Sequence, residues 1–207
     1  RLMTAGQDVR WRRETIRRAK LEPGSRLLDL GTGTGDLARE ALRQQPGAKV
    51  TAADLTRQMM LVGKMTHGDL PFVQANVLQA PFPAGTFDAV VSGYLMRNVG
   101  DLGQAIAEQY RLLKPGGRLV ILETTVPTRN VLTPFIWLHL HIGIPLLGRI
   151  ISGNGDAYHY LPDSTEHFLL AEDLAARLAE GGFVRVGFRR LMGGTMAIHW
   201  AEKPVEN

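Results

Sequence analysis

No cysteine occurs among the 207 residues. A disulfide scaffold, a thiolate metal site and a cysteine nucleophile are therefore excluded, and the composition suits a reducing compartment. No apolar run is long and unbroken enough to cross a bilayer. Val131–Leu147 has 17 residues and is interrupted by Pro134 and Pro145. Glycine is abundant, yet neither the G-x-G-x-x-G spacing nor a Walker lysine is present. Apolar residues make up 44% and charged residues 21%, so disordered and low-complexity classes drop out. The length suits one α/β domain over 1–207 and is short for two, and no internal repeat is visible.

The formal net charge is +4. It is concentrated in residues 1–20, where seven basic side chains face only Asp8 and Glu14, and the rest of the chain is about neutral. A basic leader predicts contact with an anionic surface, and a solvated helix face explains the same residues. The chain starts on Arg rather than Met, so residues preceding Arg1 are expected.

Residues 9–20 read as a basic helix ended by Pro23-Gly24. Arg26–Leu30 is a short apolar strand feeding the turn Gly31-Thr32-Gly33-Thr34-Gly35, after which Asp36–Leu42 has helical spacing. Lys49–Asp54, Phe72–Ala75, Phe87–Ser92 and Arg118–Glu123 read as further strands. Helices are predicted from Thr56 to about Met65 and over about 102–113. The second of these stops at Lys114-Pro115-Gly116-Gly117. This alternation predicts a doubly wound, mostly parallel sheet. Ala171–Glu180 reads as a helix, and Phe183–Leu191 with Thr195–Lys203 as a hairpin giving the sheet an antiparallel edge. The apolar stretch within 126–165 is expected to form a helical cover over the ligand edge, as a wall for a lipid-like substrate or as core packing.

In an open α/β sheet, ligands sit beyond the carboxyl ends of the strands. Glycines there admit a ligand to the backbone, and the following helix is expected to offer unpaired N–H groups. Asp54 ends the second strand, where a carboxylate accepts both ribose hydroxyls; a capping or turn role is the lesser alternative. Asn76 follows the third strand and presents a donor and an acceptor to an adenine edge. Ser92 and Gly93 end the fourth. With Asp29, the four strand ends describe a nucleoside site without a phosphate cradle.

The run Leu28–Asp36 together with Asp54 resembles the class I S-adenosylmethionine-dependent methyltransferases, a Rossmann-like fold whose sheet has seven strands. Arg97-Asn98-Val99, Tyr110–Glu123, Tyr158–Ser164 and Gly194–His199 narrow the resemblance to the C-methyltransferases of ubiquinone and menaquinone biosynthesis. Thr125 stands where that family usually has Ser. Thr4, Asp8 and Trp11 fit an N-terminal pattern of Ser, His and Trp, with Asp8 in the place of the His. The resemblance implies S-adenosylmethionine as cofactor and S-adenosylhomocysteine as product. It implies a cofactor set of Thr34, Asp54, Asn76, Val77, Ser92 and Gly93, to which Asp29, Gly31, Thr32, Gly33 and Leu55 add the turn and its flank. Arg97, Asn98, Tyr158 and Asp163 are the expected catalytic and substrate-pocket residues.

The reaction so implied is methylation of a ring carbon of a prenylated quinol, a demethylmenaquinol or the corresponding benzoquinol. A phenolic proton of pKa about 10 must leave, and no metal is required. Arg97 would stabilise a phenolate or act through a water; His139, His141 and His159 have a better pKa for a base. The implied setting is cytoplasmic, with peripheral contact at the inner membrane face and a homodimer left open. Two other classes are disfavoured: an NAD-linked oxidoreductase by the glycine spacing, and an RNA-binding or RNA-modifying protein by charge confined to one end. A non-catalytic relative that binds cofactor without turnover is the remaining alternative.

Overall fold

A computed structural model of the chain describes residues 6–68, 70–127 and 168–205. In chain order the elements are α1 (Gln7–Ala19), β1 (Arg26–Leu30), α2 (Asp36–Gln44), β2 (Lys49–Asp54), α3 (Arg57–His67) and β3 (Phe72–Gln74). They continue with β4 (Phe87–Gly93), a 3-10 turn at Met96–Asn98, α4 (Leu102–Leu112), β5 (Leu113–Thr124), α5 (Ala171–Glu180), β6 (Val184–Leu191) and β7 (Met196–Glu202). The strands form one sheet in the order β3-β2-β1-β4-β5-β7-β6. The first five are parallel, and β7 is antiparallel to both β5 and β6. The expected doubly wound sheet with an antiparallel C-terminal edge is thus present. The expected cover at 126–165 falls almost wholly outside the described residues.

Strand side chains alternate between faces, so each apolar strand feeds two cores. Leu28, Leu30, Val90, Leu119 and Ile121 pack on one face with Ile106 and Leu112 of α4 and Leu174 and Leu178 of α5. Leu27, Val50, Val91, Val120 and Leu122 pack on the other with Trp11 and Ile16 of α1 and Leu37 and Ala41 of α2. Each fully buried aliphatic side chain contributes about 1.5–3 kcal/mol relative to exposure. β4 and the end of β5 are enclosed on both sides, as the unbroken apolar runs predict.

Strand β5 departs from expectation. Pairing with β4 begins at Leu113, opposite Phe87, and resumes at Arg118 opposite Ala89. Lys114-Pro115-Gly116-Gly117 is therefore a wide bulge inside the ladder rather than a loop before it. A side chain on Gly117 would stand 2.8 Å from the Lys114 carbonyl, which explains glycine there. Lys203, just past β7, donates to the carbonyls of Tyr110 (3.0 Å) and Leu113 (2.9 Å) and so closes the C-terminus of α4. Its N-terminus is capped by Asp101, whose carboxylate accepts from the Gln104 amide.

Half of the described basic residues of the leader are paired within the protein. Arg12 pairs with Asp8, and both Arg17 and Arg18 pair with Glu14. The Arg18 guanidinium also lies 3.4 Å from the ring centre of Trp200. Arg10, Arg13 and Lys20 remain exposed.

Candidate cofactor and active site

The glycine turn is fixed by β2. Gly31 and Thr32 donate to the Ala53 carbonyl at 2.8 and 2.9 Å, and Gly33 donates to Asp54 Oδ2 at 2.7 Å. Gly31, Gly33 and Gly35 all have positive φ, the left-handed region that favours glycine. At Gly31 a Cβ would also come within 2.7 Å of Leu95. The turn's own N–H groups at Gly31, Thr32, Gly33 and Gly35 are engaged within the protein. Of the first amides of the following helix, expected to be unpaired, that of Ala38 donates to Asp29 Oδ2. The turn supplies shape and close approach, which accounts chemically for a nucleoside site that lacks a phosphate cradle.

Two adjoining cavities open over the carboxyl ends of β1, β2 and β4. The larger, about 480 Å³, is lined by Gly31, Asp54, Leu55, Asn76, Val77, Asn98 and apolar neighbours. The smaller, about 190 Å³, is lined by Asp29, the turn residues Gly31–Thr34, Gly93 and side chains of α1 and α2. Gly31 and Tyr94 belong to both. Together they lie in the size range of small-molecule sites, about 300–1,000 Å³.

Asp54 is held rigidly: Oδ2 accepts from Gly33 and Oδ1 accepts from the Thr56 amide at 2.7 Å. It is thus a turn residue and a cavity residue at once, and a carboxylate with two bonds keeps two acceptor positions for hydroxyls. Asn76 differs from expectation. Its Oδ1 accepts from the Leu78 amide at 3.0 Å, so the side chain presents chiefly its NH2 to the cavity. Ser92 is fully buried, its Oγ has no partner, and it lines neither cavity; Gly93 beside it does. Leu55 is 63% exposed at the rim of the larger cavity.

Asp29 is fully enclosed. Its Oδ2 accepts from Thr32 Oγ1 at 2.5 Å and from the Ala38 amide at 3.0 Å, while Oδ1 is buried without a partner. Burial pushes its pKa up to about 7, against the lowering effect of those bonds.

Arg97 does not line either cavity. Its Nη1 donates to Glu123 Oε1 at 2.7 Å, Glu123 is fully buried, and Glu123 also accepts from the Thr124 amide at 2.8 Å. Burial raises the Glu123 pKa, and the Arg97 charge opposes that rise. The Arg97 guanidinium lies 5.3 Å from the ring centre of Tyr94. Asn98 lines the larger cavity and donates to the Tyr94 carbonyl at 2.8 Å. Thr125 Oγ1 donates to the Leu169 carbonyl at 3.0 Å, so the hydroxyl common to Ser and Thr is used structurally. Tyr158, Asp163, His139, His141, His159 and Thr4 lie outside the described residues.

Sequence reasoning missed Tyr94, Leu95 and Arg12. Tyr94 has φ +58 at the end of β4, and burial pushes its phenol up to about 12, so it is neutral near pH 7. A bulky residue directly after Gly93, at a strand's carboxyl end, was the available signal.

Residues 1–203 match the model of the ubiE/COQ5 methyltransferase family. The chain belongs to that family. It is 45% identical over 207 residues to a ubiquinone/menaquinone biosynthesis C-methyltransferase of Desulfotalea psychrophila, covering 98% of this chain and 83% of the relative. It is 40% identical to a demethylmenaquinone methyltransferase of Thermus thermophilus, covering 99% and 94%. Among solved structures, the [4+2]-cyclase SpnF superposes with a TM-score of 0.71 at 20% identity, covering 96% of this chain and 82% of that one. Phosphoethanolamine N-methyltransferase 2 of Haemonchus contortus, in complex with S-adenosyl-L-methionine, gives 0.70 at 15%, covering 98% and 56%. These two establish the class I methyltransferase fold.

Proposed function

We propose that this ubiE/COQ5-family chain transfers a methyl group from S-adenosylmethionine to a ring carbon of a reduced prenylated quinone, converting a demethylmenaquinol to a menaquinol. The observation that carries the reading is the pair of strand-end cavities joined at Gly31 and Tyr94, with an acceptor carboxylate in the larger and no amide cradle in the turn. Relatives named for both menaquinone and ubiquinone biosynthesis support the substrate class, and the benzoquinol is the second acceptor.

The site fits the cofactor by donor chemistry. The remaining acceptor positions of Asp54 suit two ribose hydroxyls, the Asn76 amide with the Val77 backbone suits an adenine edge, and Leu55, Leu78 and Leu95, which line the same cavity, would give the base apolar contact. Thr32, Thr34 and Gly93 border the amino-acid end, and Asp29 Oδ1 is an unsatisfied acceptor beside it. When bound, S-adenosylmethionine supplies a methyl already activated on a sulfonium. The protein's task would then be to align the acceptor carbon, exclude water and assist loss of the phenolic proton; the hydrogen on the methylated carbon then leaves as a proton and the phenolic oxygen is reprotonated, so that the ring regains its aromaticity. Positioning of this kind contributes about 7–11 kcal/mol to such reactions. Arg97, oriented and charge-compensated by Glu123, would offer its remaining N–H donors to a developing phenolate; guanidinium holds its own proton too tightly to serve as the base. Tyr158 and Asp163 complete the substrate side by resemblance. The acceptor partitions into lipid, so the reading places the protein in the cytoplasm with peripheral contact at the inner membrane face. Among the described residues no helix is long and apolar enough to cross a membrane.

The test is calorimetric titration with S-adenosylmethionine and S-adenosylhomocysteine, then addition of a chemically reduced short-chain demethylnaphthoquinol with mass detection. Binding plus a product heavier by one methylene supports the reading; a benzoquinol accepted in preference moves the chain to the second acceptor. Arg97→Ala is expected to lower turnover at least about a hundred-fold. It also leaves Glu123 buried and uncompensated, at a cost of about 3–5 kcal/mol in stability. Unchanged turnover in that variant overturns the role of Arg97.

A further inference from the structure

We infer that the Arg12 guanidinium receives the carboxylate of the cofactor's amino-acid end, and that Asp8 is the residue that positions it. The inference rests on the nucleoside site proposed above. With ribose on Asp54 and the base near Asn76, as proposed, the nucleoside would take the larger cavity, which both residues line. The thioether and its amino-acid chain must then continue past Gly31 and Tyr94 into the smaller cavity. The end of that chain is zwitterionic and needs partners of both signs.

The smaller cavity supplies both. Asp29 carries the buried, unpartnered Oδ1, an acceptor for the ammonium. For the carboxylate, the turn amides of Gly31, Thr32 and Gly33 are already engaged. Among the described lining residues Arg12 is the one basic side chain. It reaches the cavity from α1, and its side chain is 22% exposed. Arg12 Nη2 donates to Asp8 Oδ2 at 2.9 Å, while Nη1 lies 3.3 Å from Asp36 Oδ2 at the start of α2. A guanidinium has five N–H donors in a planar fork, so donors remain beside the pairs with Asp8 and Asp36 for the carboxylate of a ligand.

Asp8 itself is buried, one turn before Arg12 on the same helix. The pair orders the long arginine side chain before any ligand arrives, so less rotamer entropy is lost on binding.

The experiment compares three thioethers by calorimetry: S-adenosylhomocysteine, its decarboxylated analogue S-adenosyl-3-thiopropylamine, and 5′-methylthioadenosine, which lacks the whole amino-acid end. In the wild type, S-adenosylhomocysteine is expected to bind roughly ten- to hundred-fold more tightly than the decarboxylated analogue. In Arg12→Met that gap is expected to collapse, with affinity for methylthioadenosine unchanged. Arg12→Lys, which keeps a point charge without the fork, should recover part of the gap. If Arg12→Met keeps the full discrimination, another group reads the carboxylate and the inference is overturned. If it weakens methylthioadenosine as much as S-adenosylhomocysteine, Arg12 is structural and the inference is likewise overturned. A wild type that binds none of the three overturns the nucleoside site itself, an outcome distinct from both.

Discussion

Asp29 and His199 are both enclosed, and burial pushes their ionisation in opposite directions. His199 lies on β7 with Nε2 2.9 Å from the Ala171 carbonyl and Nδ1 unpartnered. Desolvation lowers its pKa from 6.5 to about 4. The unfolded chain therefore takes up a proton below pH 6.5 that the folded chain refuses. Its contribution to stability is present above that pH and is lost as pH falls toward 4. Asp29 is raised from 3.8 to about 7, so its contribution is complete below pH 4 and is lost as pH rises toward 7. Between pH 4 and 6.5 the two slopes, each limited to about 1.4 kcal/mol per pH unit, oppose one another. Removing either group should therefore expose the slope of the other in urea midpoints across this window. Asp29→Asn should become less stable with acid, and His199→Gln more stable with acid relative to neutral pH. Parallel curves for the two variants would contradict the assignment.

At the scale of elements, the glycine turn links strand geometry to the cavity. Ala at Gly33 meets only Met59 at 3.6 Å, so its cost is the left-handed backbone alone, about 1–2 kcal/mol. Ala at Gly31 adds the displacement of Leu95, which lines the nucleoside cavity. Gly31→Ala should therefore melt below Gly33→Ala, and equal melting temperatures would show that Leu95 moves freely. This turn was legible in the sequence, as were β1, β2 and α5 to the residue, because apolar runs, glycine spacing and stop signals agreed there. The bulge in β5 was not. Lys114-Pro115-Gly116-Gly117 carries the local chemistry of a helix stop, and only pairing with β4 and β7 makes it part of a strand. The engagement of the turn amides was hidden for the same reason: it depends on Ala53 and Asp54 arriving from a distant strand. Arg12 read as one charge among seven, because nothing local marks which arginine of a basic helix faces a cavity.

For the whole molecule, the sheet order places the last strand between β5 and β6. β6 is an edge strand with β7 as its described partner, and Arg185, Arg189 and Arg190 with a bulge near Val184–Gly187 discourage further pairing along it. β7 is almost wholly buried. A chain ending at Gly194 should thus lose both strands of the antiparallel edge and fail to bind S-adenosylhomocysteine. A synthetic peptide covering residues 195–205, added in trans, should restore the fold by circular dichroism. A folded, ligand-binding truncation would contradict the interior role of β7.

The same order has a consequence for biogenesis. Protein synthesis delivers β5 first and β7 more than seventy residues later, several seconds apart at ordinary elongation rates. Throughout that interval the edge of β5 that will receive Ala197, Ile198 and His199 lacks that strand, and the apolar side chains of Leu119–Leu122 lie beside it. The nascent protein therefore emerges with its stickiest edge exposed and the strand that covers it still inside the ribosome, which makes this edge a natural client for chaperones acting during translation.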